Sequence, residues 1–437
     1  NDALSFGLHN RTTSSYNTGW MHGAIKGAFL SDTDTTDATY STVADDWATA
    51  GAWTKQSSIT ISSTGSGTSG TLSISGNGTG SNVYFFNPIT VEANTDYVVT
   101  ITFGAENANT FVINTTQYNA GSGVLLDINA LSGLERGGHF NSGSNTTLYI
   151  QGWQQSSSAT TITNLVIQKV SEKDRSVKNK GLQIFGTVPK QVVATGAELV
   201  AYGGFSGSNY LQQPYNSDLD FGTGDFSVIG WVKKNGNNNK MFIDNRKSGN
   251  NAGFSVETNT NGTVRLRTRT HSSESLTSTS RTIGDNNWHC IAAVVSSSGT
   301  NHKIYIDGVL DTNATVTAYS VSTGQNPLYL GIAGGYSAIP LDDGFLALWR
   351  VSGSAPSAEQ VKKIYYDEKC LFHENAQATL YGTSDAVTAL AHDDSNNILH
   401  VGTSAGRSEF RGLNRINNTT TAVTTAISAS NELVAEQ

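Results

Sequence analysis

The stretch from Asn287 to Leu310 limits the fold more than any other part of the chain. Asn287-Trp288-His289-Cys290-Ile291-Ala292-Ala293-Val294-Val295 is followed by a short Ser/Gly turn, then by Lys303-Ile304-Tyr305-Ile306-Asp307-Gly308-Val309-Leu310. Two apolar, β-branched runs flank the turn, and the second ends in Asp-Gly, the strongest short-range hairpin signal. With a period of two, Trp288, Cys290, Ala292 and Val294 share one face of the first strand, and Ile304 and Ile306 one face of the second. Asp225 to Lys233 upstream, and Leu328 to Ile332 and Phe345 to Val351 downstream, have the same strand character. Ser357 and Gln360 then form a capping box, and Ala358, Val361, Ile364 and Tyr365 make the apolar stripe of one short helix.

The composition extends this all-β reading to the whole chain. Glycine is abundant at 45 residues, charged residues make up 14%, and helical stretches are scarce. That is the profile of short strands joined by tight turns. At 437 residues several units are expected. The net charge of −8 and the absence of a basic face argue against a nucleic-acid partner. Arg265, Arg267 and Arg269 alternate along a strand and read as a solvated face. Cys290 and Cys370 are the only cysteines, so a disulfide scaffold is excluded. No apolar run reaches transmembrane length, so membrane insertion is not expected. The opening on Asn1 rather than Met suggests part of a longer protein.

Five segments follow in order. Residues 1–40 read as an extended arm or connector, with Trp20-Met21-His22-Gly23 either a docking patch for another subunit or part of an arm laid over its own domain. Residues 41–170 form strand-grade runs at regular spacing, including Val83 to Phe86, Tyr97 to Phe103 and Thr147 to Gln151, which points to a jelly-roll sandwich. Residues 171–180 are charged and read as a linker. Residues 181–372 hold the hairpin unit and its helix. Residues 373–437 contain Val387 to Leu390, Ile398 to Val401 and an apolar Thr419-to-Ile427 run, a small β segment with no repeat elsewhere to cover it. Two or three strands are marginal alone, so the segment is expected to hold subunits together, with a trimer the favoured count.

The strand order of residues 181–372 resembles the laminin-G/pentraxin branch of the concanavalin A-like sandwiches. Residues 41–170 resemble the jelly-roll carbohydrate-binding modules, chiefly through Ile89 to Phe103 and Thr163 to Ile167. Gly196 to Tyr202, Pro214 to Asp225, Leu380 to Leu390 and Val401 to Ser408 resemble bacteriophage tail-associated virion proteins, marine ones especially. These resemblances imply an extracellular virion appendage, a tail fibre or similar, that contacts other virion proteins and a host-surface glycan. The alternatives are a secreted bacterial glycan-binding or adhesin module and a capsid decoration protein without ligand.

No catalytic constellation stands out. Laminarinase-type relatives carry Glu-x-Asp with a third glutamate. The one Glu-x-Asp here, Glu172-Lys173-Asp174, lacks it, so no enzyme is expected. No histidine has metal-ligand spacing, and no nucleophile elbow or phosphate loop occurs. For calcium, which laminin-G and pentraxin relatives hold with loop carboxylates and amides, the nominees are Asp244-Asn245 and Asp342-Asp343. For a stacked sugar they are Tyr336, in a Gly/Ala-rich loop, and Trp153.

Overall fold

The hairpin forms as its sequence requires. Asp285–Ser296 pairs antiparallel with Asn301–Ile306, which turns through Asp307 (φ 55°) and Gly308 (φ 73°) into Val309–Thr315. Two successive residues at positive φ make a tight turn that Asp-Gly supplies at little strain. The computed structural model describes residues 24–78, 83–107, 110–117, 122–128, 135–154, 156–246, 252–270, 273–334, 339–384 and 386–437. The Trp20-to-Gly23 patch and Tyr336 lie outside them.

The hairpin belongs to an eight-stranded sheet. Its order is Lys190–Val192, Val200–Tyr202, Gly344–Ser352, Phe226–Asn235, Asp285–Ser296, Asn301–Ile306 and Val309–Thr315, with Ile25–Phe29 also pairing to Gly344–Ser352. A seven-stranded sheet faces it: Gln183–Phe185, Tyr210–Gln213, Leu328–Leu330, Met241–Asp244, Gly253–Thr258, Thr263–Arg269 and Glu274–Thr282. Between them lies a core that includes Val228, Ile291, Ile304 and Trp349 from the first sheet and Leu211, Ile243, Val256 and Leu266 from the second. Gly230 sits under the Trp349 ring, where a Cβ would fall 2.3 Å from a ring atom.

The eight-stranded sheet is buried on its other side too. There Ile229, Trp231, Cys290, Ala292 and Val294 pack with Val361 and Ile364 of the helix Ala358–Glu368. Burial on both faces explains why these strands read as unbroken apolar runs. The helix starts with the expected capping box at Ser357 and Gln360. It ends in Glu368, which is 0% exposed. That carboxylate accepts a 2.8 Å hydrogen bond from Trp231 Nε1 and pairs with Arg350. Trp288 is half-buried at the margin of this second core, against Phe372, with its Nε1 donating to Val193 O.

Residues from Thr54 to Lys169 form a second sandwich of two five-stranded sheets. One runs Glu135–Asn141, Asp96–Ala105, Thr160–Lys169, Leu72–Ser75, Thr60–Ser63. The other runs Thr54–Lys55, Tyr84–Thr90, Thr147–Trp153, Thr110–Asn114, Val124–Asp127. Trp47, Trp53, Phe85, Phe103 and Phe111 are among the side chains that fill its core.

Two segments differ from their sequence reading. The arm is not a free connector: Ile25–Phe29 pairs with the last strand of the eight-stranded sheet, and Ala38–Thr39 pairs with Thr187–Val188. The chain therefore enters the sandwich of the eight- and seven-stranded sheets first, builds the jelly roll, and then returns. Residues 171–180 are not a solvated linker either. Asp174 is 2% exposed and accepts from the amides of Ala28, Ser176 and Lys180, at 2.8–3.0 Å, and from the Ser176 hydroxyl. Glu172, 5% exposed, accepts from the Tyr202 hydroxyl (2.5 Å) and pairs with Lys190 (3.3 Å). Buried charges are tolerated where such partners meet them, and here they fix the segment to the arm and to the eight-stranded sheet. Bonds of Thr100 with Gln183 and of Gln168 with Ile184 join the jelly roll to the same sandwich.

The C-terminal segment is a four-stranded sheet, Val387–Asp393 to Asn414–Asn418, and a hairpin of Ile427–Ser430 with Leu433–Glu436. Residues 419–426, expected as a further strand, contain none. Val423 there is fully buried, and its side chain would meet a Cβ placed on Gly402 at 2.7 Å. Cover for this small sheet thus comes from its own chain, with Arg407 paired to Glu436 across the two parts. Arg415 and Glu198 fasten it to the sandwich at 3.0 Å.

Candidate functional site

The outer face of one jelly-roll sheet gathers rings. Along Tyr84–Thr90 the side chains alternate, so Phe85 and Ile89 enter the core while Tyr84, Phe86 and Pro88 face out. Along Thr147–Trp153, Leu148 and Ile150 enter the core, leaving Tyr149, Gln151 and Trp153 outside. The register sets Trp153 opposite Tyr84, Gln151 opposite Phe86, and Tyr149 opposite Pro88. Asn114 joins from the next strand, opposite Tyr149. Tyr84 and Trp153 meet edge-to-face at 5.1 Å between centroids, and Phe86 and Tyr149 at 5.5 Å. Gln151 and Asn114 are buried, at 2% and 0% exposed, and Asn114 is engaged with Ser122 O and Thr116 N. What this face can offer to the C–H face of a sugar is therefore its half-buried rings.

Trp153, nominated from the sequence as the stacking ring, is 3% exposed. Packed against Tyr84, it offers no open face and instead supports its neighbours. The half-buried rings of this face are Tyr84 and Tyr149, which the sequence reading passed over. Their signal was present: Tyr149, Gln151 and Trp153 share the parity opposite to Leu148 and Ile150.

The calcium nominees do not fit a cation. Asp244 is fully buried, and its oxygens accept from Arg246 Nε (2.8 Å), Nη2 (3.2 Å) and backbone (2.9 Å) and from Gly334 N (3.1 Å). Burial pushes the Asp244 carboxyl up against the opposing pull of Arg246. Asn245 Oδ1 accepts from Phe254 N at 2.6 Å. Asp342 pairs with Lys240, and Asp343 with Lys234 (3.4 Å) and Asn238 (2.9 Å). A hard cation needs six or so open oxygens. Those of Asp244 are taken by Arg246 and Gly334 N, and Asp342 and Asp343 each face a lysine ammonium. Of the nominees' oxygens, Asp343 Oδ1 is the one buried without a partner among the described residues. Among the described residues no group of three His, Cys, Asp or Glu side chains could hold a metal.

An open cleft of about 160 Å³ lies where the two sandwiches meet, lined by Thr100, Glu135, Gly137, Pro214, Tyr215 and Pro327 among others. It is smaller than a pocket that encloses a ligand, roughly 300 Å³ at least. Glu172 and Asp174 are committed to the junction described above, away from any cleft they could serve as an acid–base pair.

No curated protein matches the sequence. Several solved structures share a distant likeness. They include the receptor-binding domain of botulinum neurotoxin C/D mosaic serotype, 15% identical over 45% of this chain and 48% of that one, TM-score 0.35. The binding domain of Paraclostridial Mosquitocidal Protein 1 is 15% identical over 55% and 62%, TM-score 0.39. The binding domain of botulinum neurotoxin DC, solved in complex with rat synaptotagmin II, is 16% identical over 56% and 60%, TM-score 0.37. The chain spans about half to three-fifths of these relatives' lengths, and at this distance the likeness says nothing of ligands. Residues 205–362 match the family model of the concanavalin A-like lectin/glucanases superfamily. With its two facing sheets, this part of the chain is a concanavalin A-like, lectin-type domain.

Proposed function

We propose that the protein is a non-enzymatic attachment protein of a bacteriophage virion, carried on a tail fibre or similar appendage, and that it binds a host-surface glycan. The observation that carries the glycan part is the outer jelly-roll face, where the half-buried rings of Tyr84 and Tyr149 stand on a rigid sheet. The lectin-type domain next to it supports the same reading. The virion part rests on the resemblance of residues 180–437 to phage tail-associated proteins. Self-association, as a trimer, belongs to this proposal, although the C-terminal sheet does not need a neighbour to cover it.

A panel of bacterial-envelope oligosaccharides tests the reading. The protein should bind at least one, release no reducing ends, and lose about tenfold in affinity on Tyr149→Ala with its fold intact. Binding unaffected by Tyr149→Ala would remove the jelly-roll face from the proposal. Antibody labelling of intact particles should decorate the appendage, and unlabelled particles would overturn the virion assignment.

A further inference from the structure

The outer side of the seven-stranded sheet carries a charged row that the core does not explain. Backbone register lines up Tyr329, Asp244, Ser255, Arg267 and Leu276 across five strands. Arg265 and Arg269 stand on the same side as Arg267, because alternate residues of a strand share a face. Arg246 reaches in from the segment after Met241–Asp244. Four guanidinium groups therefore meet three carboxylates, those of Asp244, Glu257 and Glu274.

Those carboxylates are shared. Glu257 lies 2.8 Å from Arg265, 3.0 Å from Arg267 and 4.0 Å from Arg246. Glu274 pairs with Arg267 and, at 3.5 Å, with Arg269. Four guanidinium groups thus share three carboxylates within the row itself, on a chain whose net charge is −8. Hydrogen-bond supply is unbalanced. Each arginine brings five N–H donors, and an ionised carboxylate only accepts. The Nε atoms of Arg265, Arg267 and Arg269 are buried and find no partner among the described residues. In the same row Ser255 is 0% exposed, and its hydroxyl also lacks one among them.

Fixed, oriented guanidinium groups with donors to spare are the complement of an oxyanion. We propose that this face is a second binding site, one that receives the carboxylate or sulfate group of an acidic saccharide. Arg269, whose side chain is the most exposed of the three at 26%, makes first contact. Arg267 and the Ser255 hydroxyl lie behind it. That the anion belongs to a saccharide rests on the glycan-binding reading above, whereas the anion site itself does not.

The test titrates the whole chain with a sulfated oligosaccharide, a uronate-bearing one and the neutral chain of equal length. The charged probes should bind more tightly than the neutral one and weaken as salt is raised. Arg269→Gln should cost them about tenfold or more, the loss of a charge-assisted hydrogen bond, and leave the neutral probe unchanged. Tyr149→Ala should do the reverse. Equal binding of charged and neutral probes, or binding indifferent to salt and to Arg269→Gln, overturns the anion site and leaves the jelly-roll reading standing. Charged probes lost with Arg269→Gln, but neutral glycans never bound, would leave the anion site and sink the jelly-roll face. No binding of any probe overturns both.

Discussion

The two sandwiches use their sheets differently. In the lectin-type domain the central strands of the eight-stranded sheet, such as Phe226–Asn235 and Gly344–Ser352, are buried on both sides, by the facing sheet and by the helix, and serve packing. In the jelly roll the sheet with Asp96–Ala105 is also buried on both sides, its outer residues Thr100 and Gln168 bonding to Gln183 and Ile184. The sheet with Thr147–Trp153 packs a core on one side only. The outer side of the strand Thr147–Trp153 is free to hold Tyr149, Gln151 and Trp153. A sheet with two cores is stiff and uninformative about ligands. A sheet with one core has a face to spare, and candidate recognition residues collect there. The seven-stranded sheet is intermediate: one side faces the core, and the other holds the arginine row.

The contrast predicts opposite outcomes for ring removal. Trp231 fills the second core, 2% exposed, stacked on Phe372 at 4.1 Å and bonded to the buried Glu368. Trp231→Ala should destabilise by about 3–5 kcal/mol, with added loss from the uncovered Glu368. Trp288, half-buried at the margin of the same core, should cost about half as much. On the jelly-roll face Tyr149→Ala should change stability by less than about 1 kcal/mol while changing binding. Urea midpoints of the three variants decide it, and equal losses for Trp231 and Tyr149 would erase the distinction.

Joining two such different units places strain on their junction, which is polar rather than apolar. Asp174→Ala would leave the amides of Ala28, Ser176 and Lys180 without their acceptor, at a cost of about 2–3 kcal/mol. That loss falls on the joint and not on either core. The expected result is faster proteolytic cleavage near residues 171–180 and two separate melting steps. A single unaltered transition would show that the remaining bonds between the units, such as those of Gln168 with Ile184 and of His139 with Gly181, hold them without Asp174.

How much of this was legible follows from the same contrast. The unbroken apolar runs, the Asp307-Gly308 turn and the Ser357/Gln360 box are local signals, and each gave its element correctly. The match over residues 205–362 agrees with the sandwich read from them. The arm and linker were misread because their partners are distant. Ala28 meets Asp174 across 146 positions, and no local period marks a strand that pairs far along the chain. Charge density also misled. Glu172 and Asp174 look solvated until Lys190, Tyr202 and the amides are in place. Asp244 and Asn245 looked like calcium ligands for the same reason, since a carboxylate beside an asparagine does not disclose the Arg246 that claims it. Trp153 was nominated as a stacking ring, but local sequence does not show that Tyr84 packs against it and closes it off.

The smallest effect concerns the rim of the doubly buried sheet, where the helix gives way to solvent. His289 lies between Asp307 (Nδ1 to Oδ2, 2.9 Å) and Asp285 (Nε2 to Oδ1, 3.0 Å). Burial opposes its charge, but the bonds and charges of the two carboxylates prevail and raise its pKa above 6.5. Burial also opposes the charge on Asp285, yet the Asn287 amide and His289 bring that carboxyl down to about 2. A raised histidine pKa stabilises fully below about pH 6.5, and the gain is lost as pH rises through the folded value. A depressed aspartate pKa stabilises above about pH 3.9 and fades as pH falls toward the folded value. Both contributions coexist between about pH 4 and 6.5. His289→Gln should therefore lower the melting temperature most near about pH 5.5 and least near about pH 8.5, by the equivalent of at most about 1 kcal/mol. The deficit should also shrink in high salt, as a half-exposed ion pair is screened. A deficit of the same size at both pH values would mean that His289 acts there by packing alone, and that the rim of this sheet is as insensitive to charge as its centre.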